Sequence, residues 1–423
     1  MVKNLLIALV CLLSFGIYAQ NGTISPYSYF GVGDTRNNGT IDNRQMGGLQ
    51  MYGDSIHINL RNPAAFSKLR LTTYTAGITH RELQLQDNFT TQRTSVTNLD
   101  YLAIGFPIAK NAGIGLGIQP FTSVGYDLVT ESINAEQDTV RNVFVGEGGL
   151  NRVFVSFGFE PIKNVSLGVT GNFNFGTLQY NRSETTDGVQ LGTLDSRESR
   201  ISGFDLNIGG TYTPRIGKYT LFTHVGVDTQ INLVSENSRT IGSFSETQGE
   251  IEVFDVDLEA QNLKNTELKI PTRSTIGLGF GEDRRWFIGG EYSFQELSTF
   301  QNTFLGQDNV SYADASTMAL GGYFVPNYAA LSGILNRITY RAGLRYDETG
   351  LVVNEKEINN FGITFGFGIP IVGTGTDRFS NLNIGFELGR RGTRAAGLLE
   401  ENYFNVSIGI SLNALWFQKR KIN

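Results

Sequence analysis

The chain has 423 residues, 40% of them hydrophobic and 17% charged, with 51 Gly, 9 Pro and 11% aromatics. Forty acidic against 34 basic side chains leave a net charge of −6, which excludes the basic footprint of a nucleic-acid binder. Aromatic content this high with so few charges also excludes intrinsic disorder, and Gly exceeds the roughly 7% of an average protein.

Residues 1–19 read as a secretory signal peptide. Lys3 precedes the apolar run Leu5 to Gly16, and Ile17-Tyr18-Ala19 supplies the small-residue site for cleavage near Ala19. The run is too short for a membrane-spanning helix, which needs about 20 apolar residues. Cys11 is the only cysteine, and Val10 before it and Leu12-Leu13 after it do not suit lipidation. Cleavage leaves no thiol, so disulfides, thiol catalysis and cysteine metal sites are excluded.

Residues 20–68 do not alternate and are rich in Gly, Asn and Asp, yet they carry aromatics that need burial. From residue 69 to 423, apolar residues alternate with small or polar ones, the period of a strand with two different faces. Val165, Leu167, Val169, Phe173 and Phe175 oppose Ser166, Thr170, Asn172 and Asn174; Phe404 to Trp416 behaves alike. Strands are expected at 69–82, 99–108, 112–126, 148–159, 165–178, 201–213, 219–234, 270–280, 285–297, 313–325, 336–347, 358–369, 380–390 and 402–416. Short connections such as 109–111 and 161–164 take turns with long polar ones at 83–98, 127–147, 179–200, 235–269, 298–312, 348–357 and 391–401. That alternation is expected of an up-and-down barrel with tight periplasmic turns and long external loops. In hydrocarbon every backbone N–H and C=O must be paired, which a closed barrel achieves between strands.

The expected fold is therefore all-β, a 14-stranded antiparallel transmembrane β-barrel in the outer membrane with both termini periplasmic. A lumen of that width needs filling, and residues 20–68 are the economical N-terminal plug. Asp205, Asp228, Glu291, Arg341, Arg345 and Glu387 sit at inward parity, as does His224 beside Asp228. Gly113, Gly115, Gly117, Gly362, Gly366 and Gly368 share that parity, which suggests that lumen side chains or a plug come close to the wall. Tyr101, Tyr126, Phe159, Tyr212, Tyr346, Tyr403 and Phe417 lie near strand ends, where interfacial aromatics belong. Pro120 interrupts the third strand; lacking an N–H, it predicts a bulge that bends the strand and either opens a gap between neighbours or is filled by a plug side chain.

Met46-Gly47-Gly48, then Asn62-Pro63-Ala64-Ala65-Phe66 leading into the first strand, resemble the plug region of FadL-type outer-membrane proteins, the long-chain fatty-acid transporter superfamily. The group also contains PorV-like members. Gly115 to Pro120, Gly146 to Asn151 and Tyr340-Arg341-Ala342-Gly343 are similar in style. The resemblance implies a hatch at Asn62, Pro63, Ala64 and Phe66, passive uptake of hydrophobic molecules, and a lateral exit at a kinked third strand, which makes Pro120 the candidate lateral gate with Asn62 to Phe66 beside it. It also implies protein docking for the PorV-like members.

No enzyme is expected. His57, His80 and His224 stand apart from one another, no metal-spaced cluster occurs, and no cofactor is called for. Glu250 to Leu258 reads as a solvated external loop. The favoured function is passive transport of small hydrophobic molecules across the outer membrane. The alternative is an accessory barrel docking partners in a secretion or assembly complex. Expected partners are outer-membrane lipid, hydrophobic small molecules, and other outer-membrane or surface proteins. An apolar pocket of roughly 300 Å³ or more would favour transport, and a lumen closed by Arg/Asp/Glu pairs would favour docking.

Overall fold

The structure is a computed structural model that describes residues 22–36, 39–245, 247, 249–306, 309–330, 332–371 and 380–414. The signal peptide and the aromatic end Trp416-Phe417 lie outside these residues.

The wall is built of β1 (Thr72–Gln86), β2 (Thr91–Ala109), β3 (Ala112–Ile133), β4 (Thr139–Ile162), β5 (Val165–Thr186) and β6 (Gly192–Tyr212). It continues through β7 (Tyr219–Asp228, then Ile231–Ser245) and β8 (Asn265–Ile270, then Arg273–Glu282). β9 (Trp286–Gln295), β10 (Ala315–Phe324), β11 (Thr339–Val353), β12 (Lys356–Pro370), β13 (Asn381–Gly392) and β14 (Glu400–Ala414) complete it. Each strand is antiparallel to the next, and β14 returns to pair with β1 from Thr72↔Ala414 to Gln86↔Glu400, closing the barrel. Alternation has its expected physical cause. Val153, Val155, Phe157 and Phe159 are exposed to lipid, whereas Arg152, Phe154 and Ser156 between them are buried. The chain is thus a closed, 14-stranded transmembrane barrel with an N-terminal plug in its lumen.

Two sequence expectations need correction. Most of the long connections are strand, not loop: β4 runs for 24 residues, β5 for 22 and β6 for 21, against roughly 9–11 needed to cross hydrocarbon. Only 134–138 and 187–191 remain as turns between them. Beyond lipid both faces meet water, so alternation is not demanded and the strand signal fades. β9 and β10 have 10 residues each, so the tall wall occupies one side only. The second correction concerns the aromatics. Phe159, Tyr212 and Tyr346 are exposed, but Tyr101, Tyr126 and Tyr403 are buried inside.

The plug threads this wall. A 3-10 turn (Pro26–Tyr29), a two-residue strand (Asp34–Thr35), a one-turn α1 (Ile41–Arg44) and a second 3-10 turn (Pro63–Lys68) punctuate an irregular path. Its apolar side chains supply much of the core. Ile41, Ile58, Leu60, Phe66 and Leu69 pack with Tyr101 and Phe154 of the wall, and Met46, Leu49 and Met51 pack with Phe287 and Tyr323. The inward glycines make this possible: a Cβ at Gly113 or Gly115 would overlap Phe66, one at Gly168 would overlap Pro63, and one at Gly366 would overlap Gln45.

Candidate functional site: the plugged lumen

The plug is held to the wall by polar bolts. The Glu291 carboxylate accepts the backbone N–H groups of Gln50 at 2.8 Å and Met51 at 2.5 Å. Thr364 accepts from the Gly47 N–H at 3.0 Å and donates to the Gln45 carbonyl at 3.0 Å. Arg341 donates to the Gln45 side chain at 3.2 Å and to Asn383 at 2.9 Å. Arg44 pairs with Asp100 at 2.8 Å, and Arg391 pairs with Asp34 at 2.7 Å. Asp34 is held below the usual carboxylate range: burial pushes its acid up, but the Arg391 and Arg81 guanidinium groups outweigh that.

The remaining inward charges are paired within the wall. Asp205 accepts from Asn172, Asn174 and Arg152 at 2.9, 2.7 and 3.3 Å. Arg345 bridges Asp347 and Glu387, each at 2.9 Å, and Asn405 donates to Glu387 at 3.0 Å. Asp228 accepts from Asn207. His224 is buried over Gly226 at the inward position expected of it, and neither of its ring nitrogens bonds Asp228.

Asn62 caps the second 3-10 turn, its side chain accepting the Ala64 N–H at 3.1 Å. Pro63 packs at Gly168 and Gly209, Phe66 lies at Gly113 and Gly115, and Ala64 is fully buried between them. This segment does not sit beside Pro120. The β3–β4 register shifts between Pro120 and Thr122, so Phe121 is bulged inward beneath the Arg152 guanidinium at 4.1 Å. β3 pairs with β2 only from Ala112↔Ala109 up to Ile118↔Leu102. Above that level the seam between β2 and β3 is open. What fills it is the strand Asp34–Thr35, which pairs with Ser123 and Thr122, while the Arg36 N–H donates to the Phe121 carbonyl at 3.0 Å. The bulge thus diverts β3 from its wall neighbour to the plug.

Between plug and wall lies a cavity of about 380 Å³ that reaches Gln119, Pro120 and Phe121. Eight arginines and eight carboxylates line it, among them Arg36, Arg61, Arg273 and Glu401, which sequence reasoning missed. Arg152 and Arg391 were missed too, although both stand inside strands where an unpaired charge facing lipid would be prohibitive, the same signal that marked Asp205. Among the described residues, no group of three His, Cys, Asp or Glu has metal-binding geometry.

The family model described as BamG matches residues 1–423. Among solved structures, a FadL homologue of Pseudomonas aeruginosa superposes with a TM-score of 0.55 at 11% identity, over 90% of this chain and 98% of that one. The Pseudomonas putida toluene transporter TodX gives 0.56 at 13%, over 89% and 98%. No curated protein matches in sequence. Identities this low show the fold alone, a FadL-like outer-membrane barrel with an N-terminal plug. The match that covers the chain from end to end carries more: the chain belongs to the BamG family.

Proposed function

We propose that this barrel is an accessory subunit that docks partner proteins in an outer-membrane assembly, and that its lumen is a structural seal. The observation that carries this reading is the cavity lining. Eight arginines and eight carboxylates set charges and ion pairs into the space between plug and wall, among apolar side chains such as Phe121 and Phe300. A hydrocarbon ligand there would displace water from charges without replacing its hydrogen bonds, which is unfavourable. The bolts at Asp34, Arg44, Gln45 and Gln50 tie the plug to strands on opposite sides of the barrel, which supports a seal. The tall wall of β3 to β7 supports docking, since no membrane crossing needs strands of that length. In this reading both termini are periplasmic and the tall end is external.

The test is extraction in mild detergent followed by native mass spectrometry and identification of everything bound. Stoichiometric protein partners with a lumen free of lipid are expected. A lone barrel carrying a fatty acid or aromatic molecule in the lumen would overturn the reading.

One feature favours a second reading, passive transport of small hydrophobic molecules with lateral release. The open seam between β2 and β3 at the Pro120 bulge is a route from lumen to lipid once Asp34–Thr35 withdraws. Replacing Pro120 by Val restores the missing N–H. Loss of hydrophobic-substrate uptake in that variant would favour transport, and unchanged uptake would remove the gate.

A further inference from the structure

The upper half of β7 has β6 on one side, from Asn232↔Phe204 to Phe244↔Gly192. On its other side it holds Asn265–Ile270 below and the strand Gly249–Asp255 above. Gly249–Asp255 is therefore the last strand of the tall sheet. Among the described residues it pairs with β7 alone, and all seven of its residues are exposed. Its outer side is a ready backbone ladder. The Val256 N–H donates to the Arg239 carbonyl at 2.9 Å, toward β7. Backbone groups alternate in direction along a strand, so the N–H and C=O of Val253 and Asp255 point away, to the open edge.

Natural sheets blunt such edges with Lys, Pro or a cover, because an open edge recruits other strands. Among the described residues neither Lys nor Pro lies on this edge; its own devices are the register shift between Ser243 and Phe244 and its carboxylates, which repel acidic strands and admit basic ones. Residues 250–259 contain five carboxylates and no Lys, Arg or Pro. Val253 and Phe254 are 46% and 60% exposed. One face of the strand carries Glu252 beside Phe254, the other Val253 beside Asp255, so each offers an acid next to an apolar side chain. A second copy of this chain would set carboxylate against carboxylate across the edge, which is repulsive.

We propose that Gly249–Asp255 is a docking edge that receives a β-strand of a partner protein by strand addition, the incoming strand carrying basic and apolar residues on both faces. Backbone pairing at Val253 and Asp255 provides the grip, and the carboxylates select the partner's charge. The inference rests on the docking role proposed above and names the surface that performs it.

The defined probe is a fluorescein-labelled peptide of two Lys-Lys-Val-Val blocks, titrated by anisotropy onto the full chain in detergent. Saturable, salt-sensitive binding is expected, with the Glu-Glu-Val-Val counterpart failing to bind. Methylating alternate backbone amides of the probe should weaken binding about tenfold, the size of one to two lost hydrogen bonds. Val253→Pro removes an outward N–H that no ladder bond uses, a position where sheets tolerate proline, and should weaken binding as much. Glu252→Lys with Asp255→Lys should do so without touching the backbone. All variants should keep wild-type heat-modifiability. Equal binding of the methylated probe, or by folded Val253→Pro protein, overturns the docking edge. Native electrophoresis of solubilised outer membranes separates the two ideas. Wild type migrating as a lone barrel sinks the docking role, and the peptide titration still decides the edge. Wild type and Val253→Pro both migrating in the same large complex sinks the edge and leaves the docking role standing.

Discussion

Asp34 and Arg391 meet inside the lumen with 13% and 14% of their side chains exposed, so each charge depends mainly on the other. Asp34→Asn removes the carboxylate paired with the buried Arg391 guanidinium, and breaking a buried pair costs about 3–5 kcal/mol. The plug should loosen, read as faster protease cleavage in the plug of the folded barrel, and Asp34→Asn with Arg391→Leu should recover part of the loss. A second pair sits at the plug's far end, where His57 Nδ1 meets the Asp54 carboxylate at 2.7 Å. Burial pushes the Asp54 acid up, but the His57 charge and the N–H groups of Ile56 and His57 bring it down to about 2. Burial opposes the His57 charge, yet Asp54 and Asp42 raise it above its ordinary 6.5. The Asp54 contribution is present above its ordinary 3.8 and lost as pH falls toward 2. The His57 contribution is present below 6.5 and lost as pH rises through the raised value. This corner should therefore be firmest between about pH 4 and 6.5. Corrected for intrinsic rates, the Ile56 and His57 amides should exchange more slowly at about pH 5 than at about pH 9, and Asp54→Asn should abolish the difference. Equal protection at both pH values in the wild type would show that the pair does not hold the corner.

At the scale of elements, β14 does the closing. It is bonded to β13 on one side and to β1 on the other. Deleting Asn402 to Asn423 opens both ladders into lipid, at several kcal/mol per unsatisfied group. No heat-modifiable, folded protein should reach the outer membrane, and normal folding of the truncation would contradict the closed wall. All fourteen strands were legible because hydrocarbon on one face and plug on the other enforce alternation. The upper parts of β4, β5 and β6 were not, since water bathes both their faces and Thr139 to Gly148 has no reason to alternate. Tyr126 was misread for a different reason: the bulge at Phe121 flips the parity of β3, so that Gly113, Gly115 and Gly117 face inward below it and Val124 and Tyr126 above it. Tyr403, by contrast, shares the parity of Asn405 and Ser407, and strict counting would have put it inside.

For the whole molecule, the arrangement of turns makes a topological prediction. Proteases added to intact cells should cut at Lys264 or within 187–191, at the tall end, and should spare Lys163 and Lys218 in the short turns. The reverse pattern would invert the barrel. The site was less legible than the fold. Asp205, Glu291, Arg341, Arg345 and Glu387 declared themselves as charges among lipid-facing residues, but only Glu291 and Arg341 are bolts, and the partners that make them so, Gln50, Met51 and Gln45, come from the plug. Arg44, Gln45 and Gln50 lie in a segment without period, where no pattern states which side chain faces which strand. Nor could the strand Asp34–Thr35 be found as the filler of the open seam, because two residues carry no periodicity at all.

Sequence separation gives these bolts an order in time. Ser25 donates to Glu401 across 376 positions, and Arg391 reaches Asp34 across 357. The plug is synthesised before any wall strand exists, yet its outer bolts are made by β13, β14 and the connection between them, the last to arrive. Contacts this distant cannot reward the chain until the intervening loop has been closed. The plug must therefore wait, loosely tethered, while the sheet grows around it. Its locking and the final β1–β14 pairing are then one event, and seating of the N-terminus reports that the barrel has finished.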